Sequence, residues 1–175
     1  YLDRMSGAIE AHGGVIDKFI GDAIMALFGA PVAQGDAPSR AIAAARAMET
    51  ALAELNSELA AEGRPPLAID VGINTARVVA GNIGSHRRLN YSVIGDGVNV
   101  AARLQALTRV PDHRTNIILS AATRAAAGAA ASTSRPLGTV AVKGRREPVE
   151  IYAVDTGDPA SHGTSSRSEA PFFSS

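Results

Sequence analysis

The sequence predicts an α+β domain in which helices pack on one face of a largely antiparallel sheet. Long stretches with apolar residues at helical spacing alternate with short apolar runs of strand length. Two of these runs are separated only by Gly21-Asp22, which is typical of a tight hairpin. A chain of 175 residues, of which 46% are hydrophobic, is long enough for one domain and short for two.

The first third of the chain predicts a helix, a hairpin and a longer helix. Residues 1–12 carry apolar side chains at helical spacing. Residues 15–20 and 23–28 are expected to form the hairpin. Asp36 is placed to cap the long helix, which is expected to run over about residues 39–61.

The rest of the chain predicts shorter elements and a final hairpin. The segment Gly81-Asn82-Ile83-Gly84 is expected to end the strand predicted over residues 67–80. Ser120 is placed to cap a short Ala-rich helix. The domain is expected to span residues 1–154, and residues 155–175 lack periodicity and predict a disordered tail. The elements are strands over 67–80, 91–94 and 116–119, a helix over 98–107, and a hairpin of 139–142 with 149–154.

Composition excludes several classes of function. Seventeen basic residues balance seventeen acidic ones, so no overall field favours nucleic acid or an anionic membrane. The absence of Cys excludes disulfides, zinc thiolate sites and thiol nucleophiles. No apolar run approaches the roughly 20 residues that cross a bilayer. Because Tyr1 already lies in a helical pattern without a cap, the chain is expected to be part of a longer polypeptide. Any membrane attachment is expected to come only from segments upstream of Tyr1.

Two polar clusters are candidates for chemistry. The hairpin places the Asp22 carboxylate at a solvent-facing tip, where it could bind a hard cation such as Mg²⁺ or could simply form the turn. Asn99 and Arg103 are four residues apart and therefore project from one face of a helix. An amide beside a guanidinium suits a ribose oxygen and a phosphate, although a solvated polar face is the alternative.

Two further clusters are less specific. The basic loop over residues 143–146 could hold a polyphosphate or could be an ordinary hairpin loop. The glycines of residues 72–75 and 81–84 match neither the P-loop nor the dinucleotide fingerprint, so they are interpreted as backbone devices.

Together and in this order, the clusters resemble the class III adenylate/guanylate cyclases from residue 1 to about residue 154. The resemblance implies a palm-like α+β domain with a ferredoxin-like core, cytoplasmic and usually a head-to-tail homodimer with its active site between the subunits. It also implies conversion of ATP to 3′,5′-cyclic AMP and pyrophosphate with two Mg²⁺ or Mn²⁺ ions. The matching stretches are residues 12–22 (HGGVIDKFIGD), 72–75 (GINT), 79–84 (VAGNIG), 91–103 (YSVIGDGVNVAAR) and 142–145 (VKGR).

The resemblance also assigns roles to six residues. They are Lys18 and Ser92 at the purine, Asn99 at the ribose, Arg103 at the α-phosphate, Lys143 at the terminal phosphates, and Asp22 at the metal. Lys18 can donate to adenine N1, whereas guanylyl members tend to carry Glu there. Ser92 is closest to the Thr of bacterial adenylyl members linked to bicarbonate sensitivity, so ATP is favoured and guanylyl specificity is the alternative.

The sequence departs from the family pattern at two places. The strand with the first metal-binding Asp is absent, so this piece alone is expected to be inactive and to expose unpaired strand edges. Ala76-Arg77 stands where the family usually has Gly-Glu, and Ala would strain the turn if that position has positive φ. Two hypotheses follow: a truncated adenylyl cyclase, favoured by the retained site residues, or a non-catalytic cyclase homology domain for nucleotide binding or dimerisation.

Overall fold

The chain folds into four α-helices and eight strands, seen in a computed structural model that describes residues 1–85, 88–142 and 147–155, and only the backbone for 82–85 and 88–91. The helices are α1 (Leu2–Ala11), α2 (Ala37–Ala61), α3 (Asp96–Leu107) and α4 (Ala121–Ala127). The strands are β1 (Val15–Ile20), β2 (Ala23–Leu27), β3 (Val71–Ile73), β4 (Val79–Ser85), β5 (Arg88–Ile94), β6 (Ile117–Ser120), β7 (Arg135–Val140) and β8 (Val149–Ala153). The expected tail beyond Asp155 lies outside the described residues.

The central sheet has four strands in the order β3-β6-β8-β7. Strand β3 is parallel to β6, and the other two neighbouring pairs are antiparallel. Two separate hairpins, β1–β2 and β4–β5, are also antiparallel. The α+β class and the largely antiparallel pairing that the sequence predicts are confirmed.

Helices cover both faces of strand β6, so the expected packing on one face is wrong. Ile117 and Leu119 are fully buried on the side of α2 and α4, whereas Ile118 packs against Val100 and Leu104 of α3. Successive side chains of a strand point to opposite faces, so a run of consecutive apolar residues needs cover on both sides. The unbroken apolar run Ile-Ile-Leu in β6 was the signal for this two-sided burial.

The β1–β2 hairpin is held by a separate apolar cluster. Met5 of α1, Leu52 of α2 and Ile69 are buried together, and Ile24 of β2 packs against them. This contact fixes the hairpin relative to helices α1 and α2.

The predicted strand over residues 67–80 is wrong in most of its length. Only β3 joins the central sheet, and Val79 begins the β4–β5 hairpin instead. At the start of the predicted strand, the Asn56 side chain accepts from Leu67 N at 2.8 Å and donates to Leu67 O at 2.9 Å, in place of a strand partner. The glycines expected to break the strand lie inside β4, where Gly81 is paired with Ser92 across the hairpin.

The two predicted helix caps have different outcomes. Ser120 caps α4, because its hydroxyl accepts from the Thr123 backbone N–H at 3.2 Å. Asp36 stands at the start of α2, but its side chain makes no capping hydrogen bond. It accepts from Arg40 Nε at 2.8 Å, so the predicted cap is wrong.

Within the described ranges, none of the helices has both the length and the apolar character needed to cross a membrane.

Candidate functional site

Lys18 and Ser92 meet through a carboxylate that lies between them. The Ser92 hydroxyl donates to Asp17 Oδ2 at 2.9 Å, and Lys18 Nζ lies 3.2 Å from the same oxygen. The Asp17 side chain has no exposed surface and Ser92 is 6% exposed, whereas 48% of the Lys18 side chain is exposed. The cluster therefore presents an accessible ammonium group on a buried polar base.

Helix α3 begins two residues after strand β5, and it exposes the next two predicted site residues. Val100 and Leu104 on its inner face are fully buried. Asn99 and Arg103 flank this buried face and are exposed. Strand β5 and helix α3 thus carry Ser92, Asn99 and Arg103 on one continuous segment. Asn99 and Arg103 lie one turn apart on the helix, as their four-residue spacing predicted.

Three contacts from the β3 segment fix helix α3. Gly72 allows the closest approach, because a Cβ there would overlap backbone atoms of Ala101 and Gln105. The Asn74 side chain donates to Gly97 O at 2.9 Å, at the first turn of the helix. At the other end, Asp70 accepts from Thr108 Oγ1 at 2.7 Å.

The Ala76-Arg77 departure does not strain the backbone at Ala76. Among the described residues, Arg114 alone combines a side chain with positive φ. The Ala76 methyl group lies 2.6 Å from where a Cβ on Gly97 would be. Glycine at position 97 therefore makes the room that alanine at position 76 occupies.

Asp22 occupies the tip of the β1–β2 hairpin, as predicted. Gly21 precedes it with φ of 63°, a conformation that glycine adopts at little cost. The Asp22 carboxylate is exposed and lies near the half-buried phenol of Tyr1. Burial raises the pKa of Tyr1, and the negative charges of Asp22 and Asp70 raise it further.

The described residues do not assemble a complete metal site. No group of three or more His, Cys, Asp or Glu side chains in residues 1–85, 88–142 and 147–155 is arranged to hold an ion. Asp22 offers one exposed carboxylate, which suits a hard cation as a single oxygen ligand. Lys143, the residue expected at the terminal phosphates, lies outside the described residues.

Sequence reasoning missed Asp17 and gave no role to the Asn74 side chain. Asp17 directly precedes Lys18 within an apolar strand, and a carboxylate there needs a buried partner. That position was the available signal. Asn74 lies in the motif Gly-Ile-Asn-Thr, which the sequence alone presents as a backbone device.

The chain matches the family model described as the adenylate and guanylate cyclase catalytic domain over residues 3–156. It is 38% identical over 154 residues to adenylate cyclase 1 of Rhizobium meliloti, covering 88% of this chain and 23% of that protein. The chain therefore spans about a quarter of that relative's length.

Solved structures give the same result for the fold. The guanylyl cyclase Cya2 superposes with a TM-score of 0.76 at 41% identity, covering 87% of this chain and 75% of that one. The adenylyl cyclase CyaB of P. aeruginosa gives a TM-score of 0.72 at 33% identity, covering 89% of this chain and 79% of that one.

Proposed function

Because the chain belongs to the adenylate and guanylate cyclase catalytic domain family, we propose that it is the catalytic domain of an enzyme that converts ATP to 3′,5′-cyclic AMP and pyrophosphate. The supporting observation is the Lys18–Asp17–Ser92 cluster at 2.9 and 3.2 Å, followed along the chain by exposed Asn99 and Arg103. Nucleotide recognition needs groups that bind the base, the ribose and the phosphates. The cluster could bind the base, Asn99 the ribose and Arg103 a phosphate.

Arg103 is proposed to stabilise the charge that develops on the α-phosphate. In the reaction, the ribose 3′-oxygen bonds to the α-phosphorus, the bond to the bridging oxygen of pyrophosphate breaks, and the 3′-hydroxyl proton leaves. A guanidinium can form two parallel hydrogen bonds to phosphate oxygens. Asn99, one turn earlier, is proposed to orient the ribose, and Lys143 to bind the terminal phosphates.

The family generally uses a divalent metal, and we propose two Mg²⁺ or Mn²⁺ ions with Asp22 as one ligand. Its exposed carboxylate fits this role, but more oxygen ligands are needed than the described residues gather. When bound, such ions activate the attacking oxygen and neutralise phosphate charge. An ATP-consuming enzyme needs a compartment that contains ATP, so a cytoplasmic location is part of the proposal.

Adenine is the proposed base, and guanine is the second candidate. An exposed Lys18 ammonium can donate to adenine N1, and the R. meliloti relative is named an adenylate cyclase. The likeness to the guanylyl cyclase Cya2, at 41% identity, favours the second candidate. The substrate assay below separates the two.

A second cyclase domain is the proposed partner, in a head-to-tail homodimer. Large apolar side chains are exposed on both hairpins: Phe19 is 52% exposed, Ile20 61%, Val79 75% and Ile94 60%. Val79 and Ile94 are directly opposite each other in the β4–β5 register. The Asp17–Ser92 hydrogen bond joins the two hairpins, so the apolar side chains flank the proposed purine site and suit burial against another subunit.

The test is cyclic nucleotide formation by the full-length protein with Mn²⁺ and either ATP or GTP. Cyclic AMP is the expected product. Arg103→Ala should lower kcat by about 10²- to 10³-fold, the loss typical of removing one group that stabilises developing charge. The matched control is Arg64→Ala, which removes an exposed arginine that forms an ion pair with nearby Glu62. A folded protein that makes neither cyclic nucleotide would refute the enzyme proposal and leave a nucleotide-binding or dimerisation domain, whereas cyclic GTP alone would establish the second candidate.

A further inference from the structure

Asp17 is a buried carboxylate with one oxygen uncommitted. Its side chain has no exposed surface, and Oδ1 has no hydrogen-bond partner among the described residues. Asp17 lies at an irregularity of strand β1, where the register with β2 shifts between Ile16 and Lys18. A bulge of this kind re-aims a side chain, which explains how consecutive residues can face one cluster.

The contacts of Asp17 fix what its neighbours can offer to a ligand. A carboxylate only accepts hydrogen bonds, and a serine hydroxyl has a single proton to donate. Ser92 donates that proton to Asp17 Oδ2, so only the lone pairs of its oxygen remain available to a ligand. Lys18 has three N–H donors, and its half-exposed ammonium keeps donors free beyond the one directed at Asp17.

We propose that Asp17 is a specificity-determining positioning residue, which holds Ser92 as an acceptor beside Lys18 as a donor. This inference rests on the proposed function, in which the purine binds at Lys18 and Ser92. Adenine presents an amine donor at N6 beside an acceptor at N1, which complements an acceptor and a donor. Guanine presents the reverse pattern, so its O6 would meet the lone pairs of Ser92.

Asp17→Ala tests the proposal because it frees the Ser92 proton. The hydroxyl can then turn and donate to guanine O6, while its oxygen can still accept from adenine. The ratio of kcat/KM for ATP to kcat/KM for GTP in the full-length protein should therefore fall about tenfold. Glu10→Ala, which removes an exposed carboxylate from α1, should leave the ratio unchanged.

A purely structural role for Asp17 would lower the use of both nucleotides together and leave the ratio unchanged, which would overturn the proposal. A double-mutant cycle sharpens the test. In a Ser92→Ala background the hydroxyl is gone, so adding Asp17→Ala should not change the ratio further. A full additional change there would show that Asp17 does not act through Ser92. Asp17→Leu serves as a second variant, since it fills the space without an acceptor.

Binding separates failure of this inference from failure of the proposed function. If the unmutated full-length protein forms no cyclic nucleotide, the enzyme proposal fails. Competition between ATP and GTP for binding then becomes the measurement. A preference for ATP that narrows in Asp17→Ala supports the role of Asp17. An equal preference for ATP over GTP in the unmutated protein and in Asp17→Ala overturns it.

Discussion

Asp36 stands where a helix cap is expected but bonds to a side chain instead. It precedes α2 and accepts from Arg40 Nε, one helical turn later, at 2.8 Å. A serine or aspartate cap normally accepts from a backbone N–H of the first turn. Here Arg40 offers a charged donor at the i,i+4 spacing that brings side chains together on a helix.

This pair predicts a pH effect of defined sign. The hydrogen bond from Arg40 holds the pKa of the Asp36 carboxyl below its ordinary value of 3.8. A depressed pKa in the folded state stabilises the fold above the ordinary pKa, and the contribution disappears as the pH falls through the lowered value. Titration of the carboxyl carbon by NMR should show the depression, and Arg40→Gln should abolish it.

The control for the Asp36 titration is Arg64→Gln, which removes a distant exposed arginine and should leave the Asp36 pKa depressed. If Arg40→Gln also leaves it depressed, the hydrogen bond is not the cause.

At the residue scale, the sequence predicted where a residue lies better than which group its side chain contacts. Lys18 and Ser92 are 74 positions apart, and family resemblance alone placed them at one base. The connection through Asp17 depends on a strand irregularity and on the approach of two hairpins, and neither leaves a periodic pattern. Asp36 was recognised as a capping residue type, but the competing donor decided what it binds.

At the scale of elements, helix α3 carries two proposed site residues and depends on the strand beneath it. Gly72 of β3 lies against the helix backbone at Ala101 and Gln105. Because the backbone cannot rotate away as a flexible side chain can, any added atom must displace the helix. Asn99 and Arg103 would move with it.

Gly72→Ala is therefore expected to loosen α3, at a cost of about 1–3 kcal/mol typical of overpacking. Hydrogen exchange of the α3 amides in the full-length protein should become faster, and cyclic nucleotide formation should fall with it. The matched control is Gly7→Ala in α1, where a Cβ would meet nothing within 4 Å. That change should stabilise the helix by about 0.5–1 kcal/mol. Unchanged protection of α3 in Gly72→Ala would contradict the packing argument.

Periodicity predicted the helices and the hairpin of residues 15–27 because those elements are bounded locally. It failed for residues 67–80, where the alternating residues end at Ile73 with β3 and the apolar pair Val78-Val79 suggested that the strand continued. Which part of that run enters the central sheet is decided by β6, more than 40 positions later in the chain. Long-range pairing of this kind has no local signature, whereas the tight turn at Gly21 has one.

At the scale of the whole molecule, the proposed metal ligand and the proposed ribose and phosphate ligands lie on different elements, the β1–β2 hairpin and helix α3. Lys18, Ser92, Asn99 and Arg103 belong to one cluster and the segment that follows it, and Asp22 lies at the hairpin tip. Among the described residues, no hydrogen bond or ion pair joins Asp22 to Asn99 or Arg103. In the proposed head-to-tail dimer, the Asp22 of one subunit would serve the substrate bound by Asn99 and Arg103 of the other.

Mixing two inactive variants tests that arrangement. In a two-fold dimer with shared sites, Asp22→Ala and Arg103→Ala each disable both sites of their own homodimer. A mixed dimer has one site that combines the intact Arg103 of the first variant with the intact Asp22 of the second. If half of the dimers are mixed and one of their two sites works, activity should return to about a quarter of the unmutated level.

The control mixes Asn99→Ala with Arg103→Ala. These residues lie on one face of the same helix, so both come from the same subunit at any one site. Each site of the mixed dimer then retains one defect, and activity should stay at background. Recovery in the first mixture alone supports a site shared between subunits. No recovery in either mixture, in a protein shown to exchange subunits, would place Asp22 and Arg103 in the same subunit's site.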